Sequence, residues 1–573
     1  MTDLARLEAL LDNEAVARQI AQLEARLLPI GVRPRQLRVR SLVLGMLLCQ
    51  AEHRPAHLSR IHAALVGLGE TDRWRLGVTG DWKGRPHLLS YRQVEYTNDR
   101  LCAVLAKDDP DGGPSPLVAQ LCDALLEASI AEHDRAASTS LAIDWTDIES
   151  FSNPPSAKGG RCADPEASWG HRKGGGAAQK SELFFGYYLS LSTMVAEAGV
   201  TGETRSAVAE LVRQMTLTSC HLDPVPAQVA SLEALTASGV VIGDVLAGSG
   251  YAHRVPERFA LPLRSLGASL VMDLHPHDRG PQGTFAGAVL ANGSRSCPAT
   301  PTALFDLGPL GRGASAEETK AHDQKTAELS RYKLGRITSD DADGYHRVGC
   351  PAVMGELRCP LREASMALSF DHPEVLAPPE HGPACCVSQS ITVPPGVNAK
   401  TAQRHDYPSK AWRVSYARRS GAERSNARIK DPATIDVDKG WCRQMGLVPM
   451  TVLLVCALVV RNLAVTDASH EREEDDERRK AAGLAPRRRR RRRQAVADLV
   501  GATAHAPPWS RPARRRWRHQ MSATLPATGT STPPAGRCRR AAPRSDCHTP
   551  AGRWRRHKRE DGGGPNVKTS EWC

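Results

Sequence analysis

Four side chains in the last third of the sequence have the types and spacing to act together: Tyr416, Arg419, Glu423 and Lys430. On a helix at about 100° per residue they point at roughly 0°, 300°, 340° and 320°, with Asn426 close by at roughly 280°. One stripe therefore carries an acid, two cations and a phenol. A carboxylate in such a row can ligate a hard divalent cation, and the cations beside it can hold phosphate oxygens. The plainer reading is a solvated face, since a surface helix hides an apolar stripe and shows mixed charge elsewhere.

The stretch resembles the Tyr-Arg-Glu-Lys signature of one large group of bacterial insertion-sequence transposases. In that signature two residues separate Tyr from Arg, three separate Arg from Glu and six separate Glu from Lys, and all four positions match here. The resemblance implies an RNase H-like core and a catalytic Asp-Asp-Glu triad, hence two upstream aspartates, each at the end of a strand. Ser140-Leu-Ala-Ile-Asp144-Trp-Thr-Asp147 reads as an apolar strand closing on an aspartate, and Gly239-Val-Val-Ile-Gly-Asp244 as a second one. The family usually has an aspartate shortly before a Gly-Tyr pair. Gly250-Tyr251 follows Asp244, although the intervening Val-Leu-Ala-Gly-Ser is longer than the family pattern by about a residue or two.

By that resemblance Asp144, Asp244 and Glu423 are the catalytic and metal-binding residues. Hard oxygen ligands in that number suit Mg²⁺, or Mn²⁺ as a substitute, and a pair of ions roughly 4 Å apart clamps an in-line phosphoryl displacement. Asp144 would bridge both ions, and Asp244 and Glu423 would each hold one. Arg419 and Lys430 would contact DNA phosphates, and Tyr416 would pack on the sugar-phosphate or a displaced base. Asp147 is an accessory ligand or, more simply, a polar cap at the strand end. The implied protein is a DNA transposase that binds the terminal inverted repeats of its own element, cleaves there and joins the ends to target DNA. Two ends must be cut in concert, so a homodimer is expected in the DNA complex. Two other readings stand beside it: an RNase H-like nuclease without strand transfer, and a catalytically inactive DNA-binding relic.

These residues must be positioned by an α/β core, and the chain divides by composition. Residues 1–106 read as a helical N-terminal domain: Leu4, Leu7, Leu10 and Leu11, then Val16, Ile20, Leu23 and Leu27, recur at helical steps. Arg33, Arg35, Arg38 and Arg40 would suit phosphates there, though a dimerisation or packing domain fits equally. Residues 107–138 are a breaker-rich linker and a helix. Residues 139–260 and 401–468 form the two parts of the catalytic core. Residues 261–400 read as a β-rich insertion domain, with a helix from Ser315 to Arg331 that Ser315 and Glu318 would cap. His171-Arg172-Lys173 reads as a phosphate-contacting loop or a solvated hairpin.

The net charge of +13 is concentrated at one end. Residues 471–573 hold 26 Lys and Arg against 11 Asp and Glu, so the rest is close to neutral and any basic groove must be a local arrangement. Residues 469–573, with arginine at every position from 487 to 493, read as a disordered tail able to hold nucleic acid non-specifically. The apolar run from Leu447 to Val460 is too short to span a bilayer and reads as a buried helix. The start of the chain lacks a basic segment followed by an apolar run, and the 15 cysteines are scattered. A cytoplasmic, nucleoid-associated protein with reduced thiols is expected. Cys350, Cys359, Cys385 and Cys386 could bind zinc, but no short Cys-x-x-Cys knuckle is present and buried thiols are the simpler reading. No Gly-rich nucleotide loop or Ser-His-Asp arrangement stands out.

Overall fold

A computed structural model describes residues 3–27, 37–82, 85–106, 116–155, 161–173, 181–204, 207–311, 313–431, 434–485 and 487. They belong to one compact unit, Met1–Arg487. Arg33, Arg35 and the sequence beyond residue 487 lie outside the described residues.

The unit is built on one mixed sheet. Its strands are β1 (Leu141–Glu149), β2 (Ser168–Lys173), β3 (Ser181–Met194), β4 (Val212–Ser219), β5 (Asp244–Ala247) and β6 (Ser269–Met272). β1 is central. It runs antiparallel to β3 on one side and parallel to β5 on the other, and β5 continues in parallel to β6. The far edge of β3 pairs antiparallel with β2 over residues 181–186 and with β4 over residues 187–193. The sheet thus has four antiparallel strands, β1 to β4, followed in sequence by two strands, β5 and β6, that run parallel to β1.

Alternation along each strand sorts the side chains onto two faces. Leu141, Ile143, Val245 and Ala247 enter one apolar cluster, whereas Ala142, Leu246 and Val271 enter another. The first is covered by α3 (Pro224–Ala237), whose start is capped by Asp223 accepting from Val225 N–H. The second is covered by α4 (Lys410–Tyr416) and α5 (Ser420–Ile429), through Trp412 and Ala422.

The largest cluster forms where α1 (Val39–Ala51), α2 (Leu117–Ala128) and α6 (Leu447–Ala481) meet the outer half of the sheet. Nearly every residue of α1 is buried, as expected of a helix apolar all round. Met450–Val459 of α6 is likewise enclosed, which is the buried helix the apolar run predicts. The helix does not stop there: it continues through the charged stretch to Ala481, so residues 469–481 are helical where sequence composition suggests a disordered tail. A helix already nucleated by a buried half propagates at little cost through residues with good intrinsic preference such as Glu, Arg and Lys.

The N-terminal helices share this core with Tyr187, Leu189 and Val212 of the sheet, so among the described residues they do not enclose a core of their own. They also include a hairpin, Thr79–Trp82 with Arg85–Leu88, that the helical reading omitted.

In the intervening region, Ala268 to Leu274 contains β6, the outer parallel strand of the main sheet, so the separate small sheets begin after it and not at residue 261. Beyond β6 the region consists of two small three-stranded antiparallel sheets and the helix Ala316–Arg331. The capping box there is complete, with Glu318 N–H donating to Ser315 Oγ at 3.1 Å and Ser315 N–H to Glu318 Oε2 at 2.7 Å. Between Phe285 and Ala288 the chain turns through Ala286 and Gly287 with positive φ at both (50° and 85°), as a tight two-residue hairpin requires.

Candidate active site

The signature residues do not lie on one continuous helix. α4 ends at Tyr416, a single 3₁₀ turn covers Ala417–Arg419, and α5 begins at Ser420, with Lys430 just past its end. This junction nonetheless delivers several of them to β1. Arg419 Nη1 donates to Glu423 Oε1 at 2.7 Å and Nη2 lies 3.4 Å from Asp144 Oδ1. Asn426 Nδ2 donates to Asp144 Oδ2 at 3.3 Å, and Lys430 Nζ to Asp147 Oδ1 at 2.7 Å. Asp144 and Glu423 are therefore brought together across one guanidinium. Asp144 is mid-strand, not at a strand end as expected, because β1 runs on to Glu149. It stands instead where the parallel neighbour β5 stops.

Asp244 is not part of this group. It opens β5 rather than closing it, and the register sets Val245 beside Leu141 and Ala247 beside Ile143. Four strand positions, about 13 Å at 3.3 Å per residue, separate the level of Asp244 from that of Asp144. Its side chain is fully buried (0% exposed), with Oδ2 accepting from Arg418 Nη2 and Oδ1 from Arg404 Nη1, both at 2.7 Å. Arg418 also reaches Ala196 O at 2.8 Å and Ser415 Oγ at 2.7 Å. This network fastens the α4–α5 junction to the sheet and leaves no oxygen of Asp244 facing solvent.

The residue that stands beside Asp144 is Gly248, immediately after Ala247, and sequence reasoning passed over it. Its backbone is extended (φ −77°, ψ 170°), and an added Cβ would lie 2.8 Å from Arg419 Nη2. The signal was in the sequence, since Gly248 directly precedes Ser249-Gly250-Tyr251, but only the register gives it meaning. One strand further, Met272 pairs with Ala247, which sets Asp273 at the same level; its Oδ1 accepts from Tyr407 OH at 3.2 Å and from Arg279 at 3.3 Å.

The electrostatics follow from this packing. Burial raises the pKa of Asp144, and Arg419 offsets it only in part. Burial also opposes ionisation of Asp147, but Lys430 and Arg172 outweigh it and hold the carboxyl below its ordinary value. Burial pushes the Tyr416 phenol up to about 12, so it stays protonated; the ring stacks on Trp412 with centroids 5.1 Å apart. Arg172 lies on β2, a hairpin strand, and pairs with Asp147 at 3.0 Å and Glu149 at 2.9 Å.

Several oxygens fit a hard divalent cation. Asp144 is 22% exposed and Glu423 56% exposed, and Asn426 Oδ1 is buried beside Asp144 with no hydrogen-bond partner among the described residues. Two carboxylates and an amide oxygen suit one Mg²⁺ or Mn²⁺ ion; a set including Asp244 is not assembled. The four cysteines gather around Cys297, which hydrogen-bonds to Cys386, and their thiols perturb one another's ionisation, although among the described residues no three of them lie within 4.8 Å of one another. All four are buried, Cys350 and Cys359 in one apolar cluster and Cys385 and Cys386 in another, with Sγ atoms of the last two 3.8 Å apart. Searches of protein-family models, curated proteins and solved structures each find no match to the chain.

Proposed function

We propose that this chain has an RNase H-like core and acts on DNA as a transposase of the Asp-Asp-Glu class. The strand arrangement supports the fold, with the antiparallel strands β1, β3 and β4 and the extra hairpin strand β2, a helix, then two strands parallel to β1. The observation that carries the activity is the convergence of Asp144 and Glu423 on Arg419, from a central strand and from a helix packed on it. Rigid supports of that kind hold catalytic groups at fixed separation.

In this reading Asp144, Glu423 and Asn426 Oδ1 hold a divalent cation, which when bound would polarise the scissile phosphate and activate a water or a DNA 3′-hydroxyl. The chain's own residues do the rest. Arg419 neutralises the two carboxylates in the free protein, and an arriving cation and phosphate would release it toward the DNA backbone. Lys430, paired with Asp147, lies beside the same strand and supplies a second phosphate contact. Tyr416, held against Trp412, presents an edge that limits how a sugar or base enters. Partner DNA is the element's terminal repeats and target, and a homodimer in that complex follows from the need to cut two ends together.

A second reading is DNA binding without cutting. It is favoured by the engagement of Asp244 in a buried ion pair and by glycine at position 248, which leave two carboxylates at the site. One experiment separates the readings. Labelled duplexes carrying the sequence that flanks this coding region are incubated with Mg²⁺ and the full chain, or with Glu423→Gln. Cleavage at a boundary by the intact protein, lost in a variant that still binds, supports the transposase; binding with no cleavage in Mg²⁺ or Mn²⁺ supports the second reading.

A further inference from the structure

Away from that site, the short helix Glu132–Ala136 meets α6 through two imidazoles and a carboxylate. His133 Nε2 lies 3.1 Å from His470 Nε2 and 3.5 Å from Asp134 Oδ2, and all three ligand atoms are within 4.8 Å of one another. Among the described residues no other His, Cys, Asp or Glu group of three comes this close. The rings are 5.3 Å apart between centroids at 30°, so the two nitrogens face each other.

The simplest account is one hydrogen bond between a protonated and an unprotonated ring nitrogen. It leaves Asp134 Oδ2 with only the 3.5 Å contact to His133 Nε2, an ion pair when that imidazole is protonated, and no hydrogen bond among the described residues. The oxygen is buried, although the side chain adjoins an imidazole that is largely exposed. A buried carboxylate oxygen without a hydrogen-bond partner is costly. A cation at the centre of the triangle removes that cost and uses both imidazole lone pairs at once. The spacings fit: four-coordinate zinc with bonds of about 2.0–2.1 Å has ligand atoms about 3.3 Å apart, between the two separations found here.

We propose that His133, Asp134 and His470 form a site for a divalent transition metal of the zinc class, completed by water, which clamps the segment leading into β1 to the middle of α6. Two imidazoles with one carboxylate favour such an ion over Mg²⁺ or Ca²⁺, which take oxygen ligands. The position gives the clamp a consequence. His470 stands where α6 leaves the core and enters its charged second half, so a bound ion would tie that exposed half to the sheet.

The test uses the full chain, stripped with a chelator and titrated with Zn²⁺ alone in a calorimeter. Wild-type protein is expected to bind one equivalent more than either His470→Ala or His133→Ala. Co²⁺ in place of Zn²⁺ is expected to give visible absorption of a four-coordinate site that both variants lack. Asp134→Asn, which keeps the imidazole pair, is expected to weaken Zn²⁺ binding on the order of 100-fold. Equal stoichiometry in wild type and both histidine variants overturns the proposal and leaves an imidazole–imidazole hydrogen bond, with any bound Zn²⁺ assigned to the thiols. Unaltered helix content by circular dichroism excludes misfolding as the cause of a loss.

Discussion

Gly248 and Arg419 share one small space beside Asp144: a Cβ built on the glycine would stand 2.8 Å from the guanidinium Nη2. Ala247 pairs with Ile143, so the next residue of each strand, Gly248 and Asp144, come level at the point where β5 ends. A guanidinium therefore occupies the position at which a second strand-borne carboxylate would face the first.

That relationship makes Gly248→Asp informative. The backbone at 248 is extended and accepts any L-residue, and the near contact is with the movable end of Arg419. The variant is expected to fold and to bind Mg²⁺ about tenfold more tightly than the parent, because a third carboxylate joins the set. Gly248→Ala, which displaces Arg419 without adding a donor, is expected to raise the affinity less than Gly248→Asp, because it removes a competing cation but supplies no ligand. Calorimetric Mg²⁺ titration measures both, and an unaltered Gly248→Asp affinity would refute the placement.

Asp144 and Asp244 are expected to behave oppositely when neutralised. Asp244→Asn strips a buried ion pair of its acid and leaves Arg418 uncompensated, which costs on the order of 3 kcal/mol; Mg²⁺ affinity is expected to be untouched. Asp144→Asn is expected to abolish Mg²⁺ binding with little loss of stability at pH 7, since burial already disfavours its charged form. Urea unfolding and Mg²⁺ titration on both variants decide the matter. Loss of metal binding in Asp244→Asn would restore that residue to the site.

Asn462 should matter for the edge of the sheet. From within α6 it accepts Val212 N–H through Oδ1 at 2.9 Å and donates Nδ2 to Val212 O at 2.8 Å, substituting for a paired strand along β4. It is fully buried. Asn462→Ala leaves both backbone groups buried without partners and is expected to cost about 2–4 kcal/mol in chemical denaturation. A change under roughly 0.5 kcal/mol, the range of ordinary surface substitutions, would show that the contact carries no weight.

Asp123 gives the fold a pH dependence. Burial on α2, with Glu127 nearby as a lesser cause, pushes its carboxyl up to about 7 from an ordinary 3.8. Between those values the folded state binds more proton than the unfolded one, so stability falls as pH rises from about 4 to about 7. The contribution is on the order of 4 kcal/mol, about 1.4 kcal/mol for each of roughly three pKa units. Asp123→Asn is expected to flatten that slope in unfolding midpoints measured across the window, and an unchanged slope would assign the dependence elsewhere.

Local signals in the sequence were legible where short-range geometry decides the outcome. The capping box at Ser315 and Glu318 appears as its spacing requires. The apolar run from Leu447 is enclosed, and the Arg419–Glu423 spacing places a charge pair one turn apart. Each depends on neighbours within about four positions, where the helical period dictates which side chains meet.

What the sequence by itself determined, then, was helix and strand type, caps, the buried helix and the membership of Glu423 and Arg419 on a common face. Asp144 and Asp244 look alike at that level, each a short apolar run followed by an acid. Only tertiary structure decided that one lies open to α5 while the other is sealed against Arg418. The difference is strand register, set by the packing of layers from distant parts of the chain, and a few positions of register move a carboxylate from a site to a buried ion pair.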